Sequence, residues 1–211
     1  VTRDEGVALI KQQLAFRQNR DAEIVSNLQL AQQMIEIGPT KPWFMYSERS
    51  STTTTANEQR VLVPPSFIEE IDEEGLVYVD SDGEAHDLTK DEYDVLKRNF
   101  ADSEPGEPEA YALMGEYFWI FPTPDDSYTI RMMHIERQVL LTSNVENNWL
   151  KWCPYLLLGT ALKQIAMGPL RDTVASGVAD TWIAVGAKLL ATQNEARNLA
   201  NRTLQMGGPH A

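Results

Sequence analysis

From Asp172 the chain carries an apolar stripe longer than a small domain can cover alone: Val178, Trp182, Val185, Leu189, Ala196 and Leu199 recur at helical spacing. A helix over this stretch runs for about six or seven turns at 3.6 residues per turn. Gly177, Gly186 and Ala187 reduce its girth and allow another helix to approach. Gly207-Gly208-Pro209 must end it, because Gly favours the left-handed cap and Pro cannot continue the hydrogen-bond ladder. A stripe of this length predicts packing between subunits, with Val178, Trp182, Val185, Leu189 and Leu199 at the assembly interface. Residues 207–211 are too short to fold alone and are expected to form a tail that joins a partner.

The first forty residues read as a helical hairpin. Thr2 and Glu5 form a capping box, and Val7, Ile10 and Leu14 follow on one face. Asp21 is the expected cap of a second helix carrying Ile24, Leu28, Ala31 and Ile35, which ends at Gly38-Pro39. Neither helix can bury its stripe alone. Beyond them the texture changes to prolines and a polar run from Ser50 to Thr55. Arg60 to Val63 and Leu76 to Val79 read as strands. Asp82-Gly83 predicts a hairpin joining Val77-Tyr78-Val79 to Ala85 to Leu88, and Gly115-Glu116 a second joining Tyr111 to Met114 with Tyr117 to Phe121. Thr89 with Glu92 predicts a capped short helix bearing Tyr93, Leu96 and Phe100, and Tyr128 to Ile135 a further strand. Asn147 or Asn148 caps the returning helical pattern, and Pro154 kinks it or starts a helix. The expected fold class is therefore α+β: a helical bundle from 1–38 and 144–206, a small antiparallel β insertion with one short helix from 39–143, and a C-terminal tail.

Charge narrows the function. The net charge of −13 is local: between Glu69 and Glu109 there are 16 acidic and 3 basic residues, and the rest of the chain is balanced. Such a block opposes binding of a phosphate backbone, which recruits Lys and Arg. Burying it would be costly, so Glu69, Glu70, Asp72, Glu73 and Glu74 are expected on the surface, as an acidic channel lining or docking face. The single Cys153 excludes an intramolecular disulfide framework. No contiguous apolar run approaches the roughly 20 residues needed to span a bilayer, and the charged N-terminus does not read as a signal peptide, so no membrane partner is expected.

Catalytic motifs do not emerge. Asp80, Asp82 and Asp87 around Gly83 lack EF-hand spacing and read as a turn, and His86, His134 and His210 show no metal-ligand spacing. Cys153 sits before Pro154 in an apolar aromatic cluster, a setting for a buried thiol rather than a nucleophile. There is no Gly-x-Ser-x-Gly elbow, P-loop or dinucleotide fingerprint. Trp43, Trp119, Trp149, Trp152 and Trp182 read as core. The expectation is no enzyme, no cofactor and no metal.

Several strings in order resemble one family. They are Leu28-Gln29-Leu30-Ala31-Gln32-Gln33 with Lys41-Pro42-Trp43-Phe44-Met45, then Val63-Pro64-Pro65-Ser66-Phe67, then Tyr111-Ala112-Leu113-Met114-Gly115 running into Ile120-Phe121-Pro122-Thr123-Pro124. Tyr128-Thr129-Ile130-Arg131 and Asn147-Asn148-Trp149-Leu150 with Pro154 complete the series. The chain is similar in these to the head-to-tail adaptor, or connector, proteins of tailed bacteriophages. The resemblance implies a structural virion protein of the head-to-tail neck, made in the bacterial host cytoplasm. It would join the portal to tail or nozzle proteins as a homo-oligomer, usually a dodecameric ring, around a channel that genomic DNA passes without specific binding. The acidic stretch is heavier than the resemblance requires. Two other readings remain: an acidic DNA-mimic inhibitor, which accounts for the charge but not for the C-terminal stripe, and a small hydrolase using carboxylates of the acidic block.

Overall fold

The computed structural model describes residues 1–14, 20–71, 75–80 and 82–206, and the side chains within them except at 48–50, 169 and 198–206. In chain order the elements are α1 (Arg3–Gln13), α2 (Asp21–Glu36), β1 (Tyr46–Thr53), β2 (Arg60–Leu62), β3 (Phe67–Glu70), β4 (Leu76–Val79), β5 (Ala85–Asp87), β6 (Thr89–Lys90) and α3 (Tyr93–Asn99). There follow β7 (Ala110–Met114), β8 (Tyr117–Phe121), β9 (Thr129–Glu136), α4 (Asn148–Trp152), α5 (Pro154–Ile165), a π-helical turn (Ala166–Leu170) and α6 (Thr173–Met206). They fall into two compact units: a helical one from Val1–Phe44 and Gln138 onward, and a β-rich one from Met45–Arg137.

This corrects the expected fold class. The chain is 45% helical and 23% strand, too much strand for a small insertion in a bundle. The β-rich unit has its own two sheets and its own core. In the first sheet the long β9 pairs with β1 along one edge, and with β4 and then β3 along the other; β5 extends it beyond β4. The second sheet runs β2-β8-β7-β6, antiparallel except for the parallel β6–β7 pair. Val61, Tyr111, Phe118 and Ile120 from one sheet meet Leu76, Tyr78, Ile130 and Met132 from the other in a single buried cluster. Alternating residues of both sheets thus fill a sandwich core. On its outer face the second sheet is covered by α3, where Leu96 packs with Ala110, Ala112 and Phe121.

Both predicted hairpins form. Val77 opposes Asp87 across the Gly83 turn, and Met114 opposes Tyr117 across Gly115, with both glycines at positive φ. The capping box at Thr89 does not form. Thr89 is drawn into the parallel ladder opposite Ala110, and Glu92 takes the N-cap position without a side-chain hydrogen bond. Extended pairing there outcompetes the local cap.

In the helical unit the capping box at Thr2 is present, Thr2 accepting from the Glu5 amide while the Glu5 carboxylate accepts from the Thr2 amide. Asp21 is not a cap. It is the first helical residue, after Arg20, and pairs instead with Lys11 of α1 at 2.8 Å. Asn147 caps α4, its Oδ1 accepting from the Leu150 amide at 3.0 Å, and Pro154 occupies the first turn of α5. The helix α5 packs against both α2 and α6.

Candidate assembly surfaces

A buried polar network fixes the helical unit. Glu36, at the end of α2, is 1% exposed, and its Oε1 accepts from the Gln32 amide group (2.9 Å), the Trp149 indole (3.0 Å) and the Gln138 backbone (3.3 Å). Gln32 Oε1 accepts from Asn147 (3.0 Å), and Gln138 Oε1 from Asn148 (2.7 Å). Gln138 Nε2 donates to the Phe44 carbonyl at 3.1 Å. Buried donors and acceptors left unmade are costly, so a network this well connected sets one relative position for α2, α4 and the segments of the helical unit at Phe44 and Gln138. Around it Trp149 meets Phe44 edge to face at 5.0 Å, and Trp43 meets Trp152 at 5.3 Å. Trp43 also lies under the Arg197 guanidinium, 3.3 Å from its ring centre, and its amide donates to Asn194 at 3.3 Å. These contacts tie α6 to the segment after α2.

The helix α6 has two characters around its circumference. Ala175, Ala179, Gly186 and Leu190 face inward. Of the predicted stripe, Val178 and Trp182 are half-buried beside them, and Trp182 meets Tyr155 of α5 edge to face at 6.0 Å. Val185 and Leu189 are 45% and 44% exposed, and Val174 is more exposed still on the same side. The side chain of Leu199 is outside the described residues. Gly186 admits close approach, as its place in the stripe predicted, but the neighbour is Leu156 of α5; Gly177 has nothing near it. Lys163 of α5 bonds both Ser176 (2.8 Å) and Asp180 (2.6 Å) of α6. By length and composition Thr173–Arg197 also suffices to cross a membrane, although Ser176, Asp180, Thr181 and Lys188 break it into short apolar runs.

A second apolar face lies on α2, where Leu30, Met34 and Ile37 share one side at helical spacing and are exposed. Between the end of α2 and α6, Gly38, Pro39 and Thr40 join Leu156, Ala187 and Leu190 in lining an open apolar groove of about 310 Å³. The α2 stripe read from the sequence, Ile24, Leu28, Ala31 and Ile35, is a different face of this helix.

The acidic residues are less uniform than their run suggests. Glu69 is exposed, whereas Glu70 turns inward, pairs with Lys90 of β6 and lies beside the buried Tyr111 hydroxyl, whose pKa rises through desolvation first and the Glu70 charge second. Asp72, Glu73 and Glu74 lie outside the described residues. By composition the β-rich unit holds 22 acidic and 7 basic residues, a net −15, and the helical unit 9 and 11.

The β4–β5 register brings together groups that sequence spacing kept apart. His86 Nε2 lies 3.0 Å from Asp80 Oδ2, stacked on Tyr78, and Glu84 completes a set whose ligand-type atoms lie within 4.8 Å of one another. Asp80 Oδ1 meanwhile accepts from the Asp82 and Glu84 amides, both at 2.9 Å, as a turn requires. The hydrogen bond to Asp80 holds the His86 pKa above its ordinary value and that of Asp80 below its own. His134 on β9 is fully buried, and burial lowers its pKa. Burial pushes the Cys153 thiol up to about 11, so it stays protonated at neutral pH.

The helical unit leaves long apolar faces outward, and the β-rich unit is strongly acidic, features of a chain that assembles through its surfaces. Over residues 7–206 the chain matches the family model described as SU10 adaptor protein. It belongs to that family, a family of phage head-to-tail adaptors, which are structural components of the virion neck and interact with portal and tail proteins. No curated protein matches the chain.

Proposed function

We infer that this adaptor closes into a ring of identical subunits beneath the portal, around the channel that genomic DNA passes. The observation that carries the reading is the pair of different apolar faces on the helical unit. A two-fold dimer uses one patch twice, whereas a ring needs two distinct patches that meet head to tail. The α6 face, with Val174, Val185 and Leu189 flanked by Val178 and Trp182, and the α2 face of Leu30, Met34 and Ile37 supply such a pair. Both are braced by α5. The resemblance to connectors, whose rings are usually of twelve, supports a dodecamer.

The charge distribution supports a second part of the reading. A unit with net −15 repels phosphate, so acidic residues lining the channel, Glu69 and the run Asp72, Glu73 and Glu74 among them, would favour sliding of DNA over sticking. The same residues as a face for tail proteins are the other use of that charge. Residues 207–211, which lie outside the described residues, are proposed to join the subunit to the portal or to its ring neighbours. Size-exclusion chromatography with light scattering tests the ring: the expected result is one species at a multiple of the 23.8 kDa subunit mass with a central hole in class averages. A monomer or a two-fold dimer at high concentration would overturn it.

A further inference from the structure

The outer face of the second sheet carries three cross-strand rows. Phe121 and Ala110 form one, and Arg60, Trp119 and Ala112 the next. Leu62, Tyr117 and Met114 form the last, in register across β2, β8 and β7 beside the Gly115 turn. The seven residues of α3 span only about 10 Å at 1.5 Å per residue. That is enough for the first two rows, where Leu96, Tyr93 and Phe100 pack on Phe121, Trp119, Ala110 and Ala112. The last row stays open: Leu62 is 56% exposed, Met114 43% and Tyr117 36%. Nothing in the alternation of a sandwich strand calls for three large apolar groups side by side on the solvent face.

Tyr117, at the centre of the row, is braced. Arg60 lies over both Tyr117 (5.5 Å) and Trp119 (5.8 Å), and Trp119 meets Tyr93 edge to face at 4.8 Å. Side chains held in this way lose little freedom on binding, which is what makes aromatic rows effective anchors. The surroundings fix the sign of the partner. Glu116 flanks the row at the hairpin tip, Glu58 lies 3.9 Å from Arg60, and the unit as a whole carries net −15.

We propose that the Leu62–Tyr117–Met114 row is the docking site for a different virion protein, which presents an apolar knob ringed by Lys or Arg. The row supplies the dry centre of the contact, and the acidic unit steers a basic partner to it and disfavours a second acidic copy of itself. This rests on the adaptor reading and names the surface used toward the tail, separate from the helical faces assigned to the ring.

Photo-crosslinking in assembled virions tests it, with Leu62→p-benzoylphenylalanine as the probe and Val185→p-benzoylphenylalanine as the control. The expected result is that position 62 captures a Lys- or Arg-rich segment of another virion protein while position 185 captures a second adaptor chain. Capture at position 62 of a second adaptor chain, of a neutral or acidic segment, or of nothing overturns the docking site. Failure of position 185 to capture an adaptor chain counts against the ring alone, so the two failures are distinguishable. Should the probe at 62 prevent assembly, Met114→p-benzoylphenylalanine in the same row carries the test with the same outcomes. A charge test reads the same surface independently: Leu62→Glu with Met114→Glu should leave ring formation intact and lower the fraction of heads carrying tails about tenfold. Unchanged tail attachment in that double variant overturns the proposal.

Discussion

A Cβ atom added at Gly186 would stand 2.3 Å from the backbone nitrogen of Leu156 and 2.7 Å from its Cα. The α5 and α6 backbones therefore touch at this point, and only glycine fits. Gly186→Ala should force the helices apart and destabilise the helical unit by about 1–3 kcal/mol or more. Gly177→Ala, nine residues earlier with open space around it, should instead stabilise by about 0.5–1 kcal/mol through helix propensity. Urea unfolding followed by circular dichroism of both variants reads the contrast; equal effects would mean the close approach is not what position 186 is for.

Asn147 serves three partners at once: it caps Leu150 and donates to Gln32 and to the Val139 carbonyl. Asn147→Ala should cost about 1 kcal/mol for the cap and a further ~1–3 kcal/mol for the buried Gln32 oxygen that loses its donor, while the Val139 carbonyl keeps the Gln32 amide group. Asn147→Asp should restore the cap yet leave both acceptors facing oxygen, so it should recover only part of the loss in the same unfolding measurement.

The two described histidines of the β-rich unit should titrate on opposite sides of the ordinary value near 6.5. His86, held by Asp80, has a raised folded pKa. Its contribution to stability is complete below the unfolded value and fades as pH rises through the folded one. His134 has a lowered folded pKa, so the unfolded chain takes up its proton first. Stability is then lost as pH falls from about 6.5 toward the folded value. Proton NMR of the imidazoles checks the order, and His134→Phe should flatten the acid side of the stability profile. A His134 that titrates above His86 would contradict the burial that the fold imposes.

Val185 and Leu189 separate assembly from folding better than Trp182 does. Trp182 packs on Tyr155 and Gly159 within its own subunit, so Trp182→Ala should cost about 1–3 kcal/mol of stability, less than truncation of a fully buried Trp because the ring is only half-buried. Val185→Asp with Leu189→Asp touches mainly exposed positions and should shift the stability of the isolated subunit by no more than about 0.5 kcal/mol each. It should nevertheless abolish the higher-mass species in light scattering. A wild-type assembly from that pair would remove α6 as the contact.

Features written in a few neighbouring residues were legible: the Thr2 capping box, the Asn147 cap, Pro154 at a helix start, and the turns at Gly83 and Gly115. Features decided by distant pairing were not. Thr89 and Glu92 have the spacing of a cap, but Ala110 claims Thr89 for a ladder. The inner face of α6 is built largely of small residues, Ala175, Ala179 and Gly186, whose weak hydropathy hid it behind the bulkier Val185 and Leu189. Glu70 looked like one more acid in a run until the fold set Lys90 beside it. His86 met Asp80 only through strand register.

Tyr46 pairs with Ile135, so the first and last strands of the β-rich unit lie side by side and its two chain ends leave together. That unit interrupts the helical one, whose polar network joins Gln32 and Glu36 to Gln138 and Asn147 across more than a hundred residues of chain. On a ribosome the N-terminal helices emerge long before the residues that complete them. A sandwich that has already folded replaces the long floppy loop between these halves with a short bridge, and so removes most of the entropy otherwise lost in bringing them together. The order of synthesis and the order of closure then coincide: the sandwich acts as the buckle, and the helical unit is fastened last.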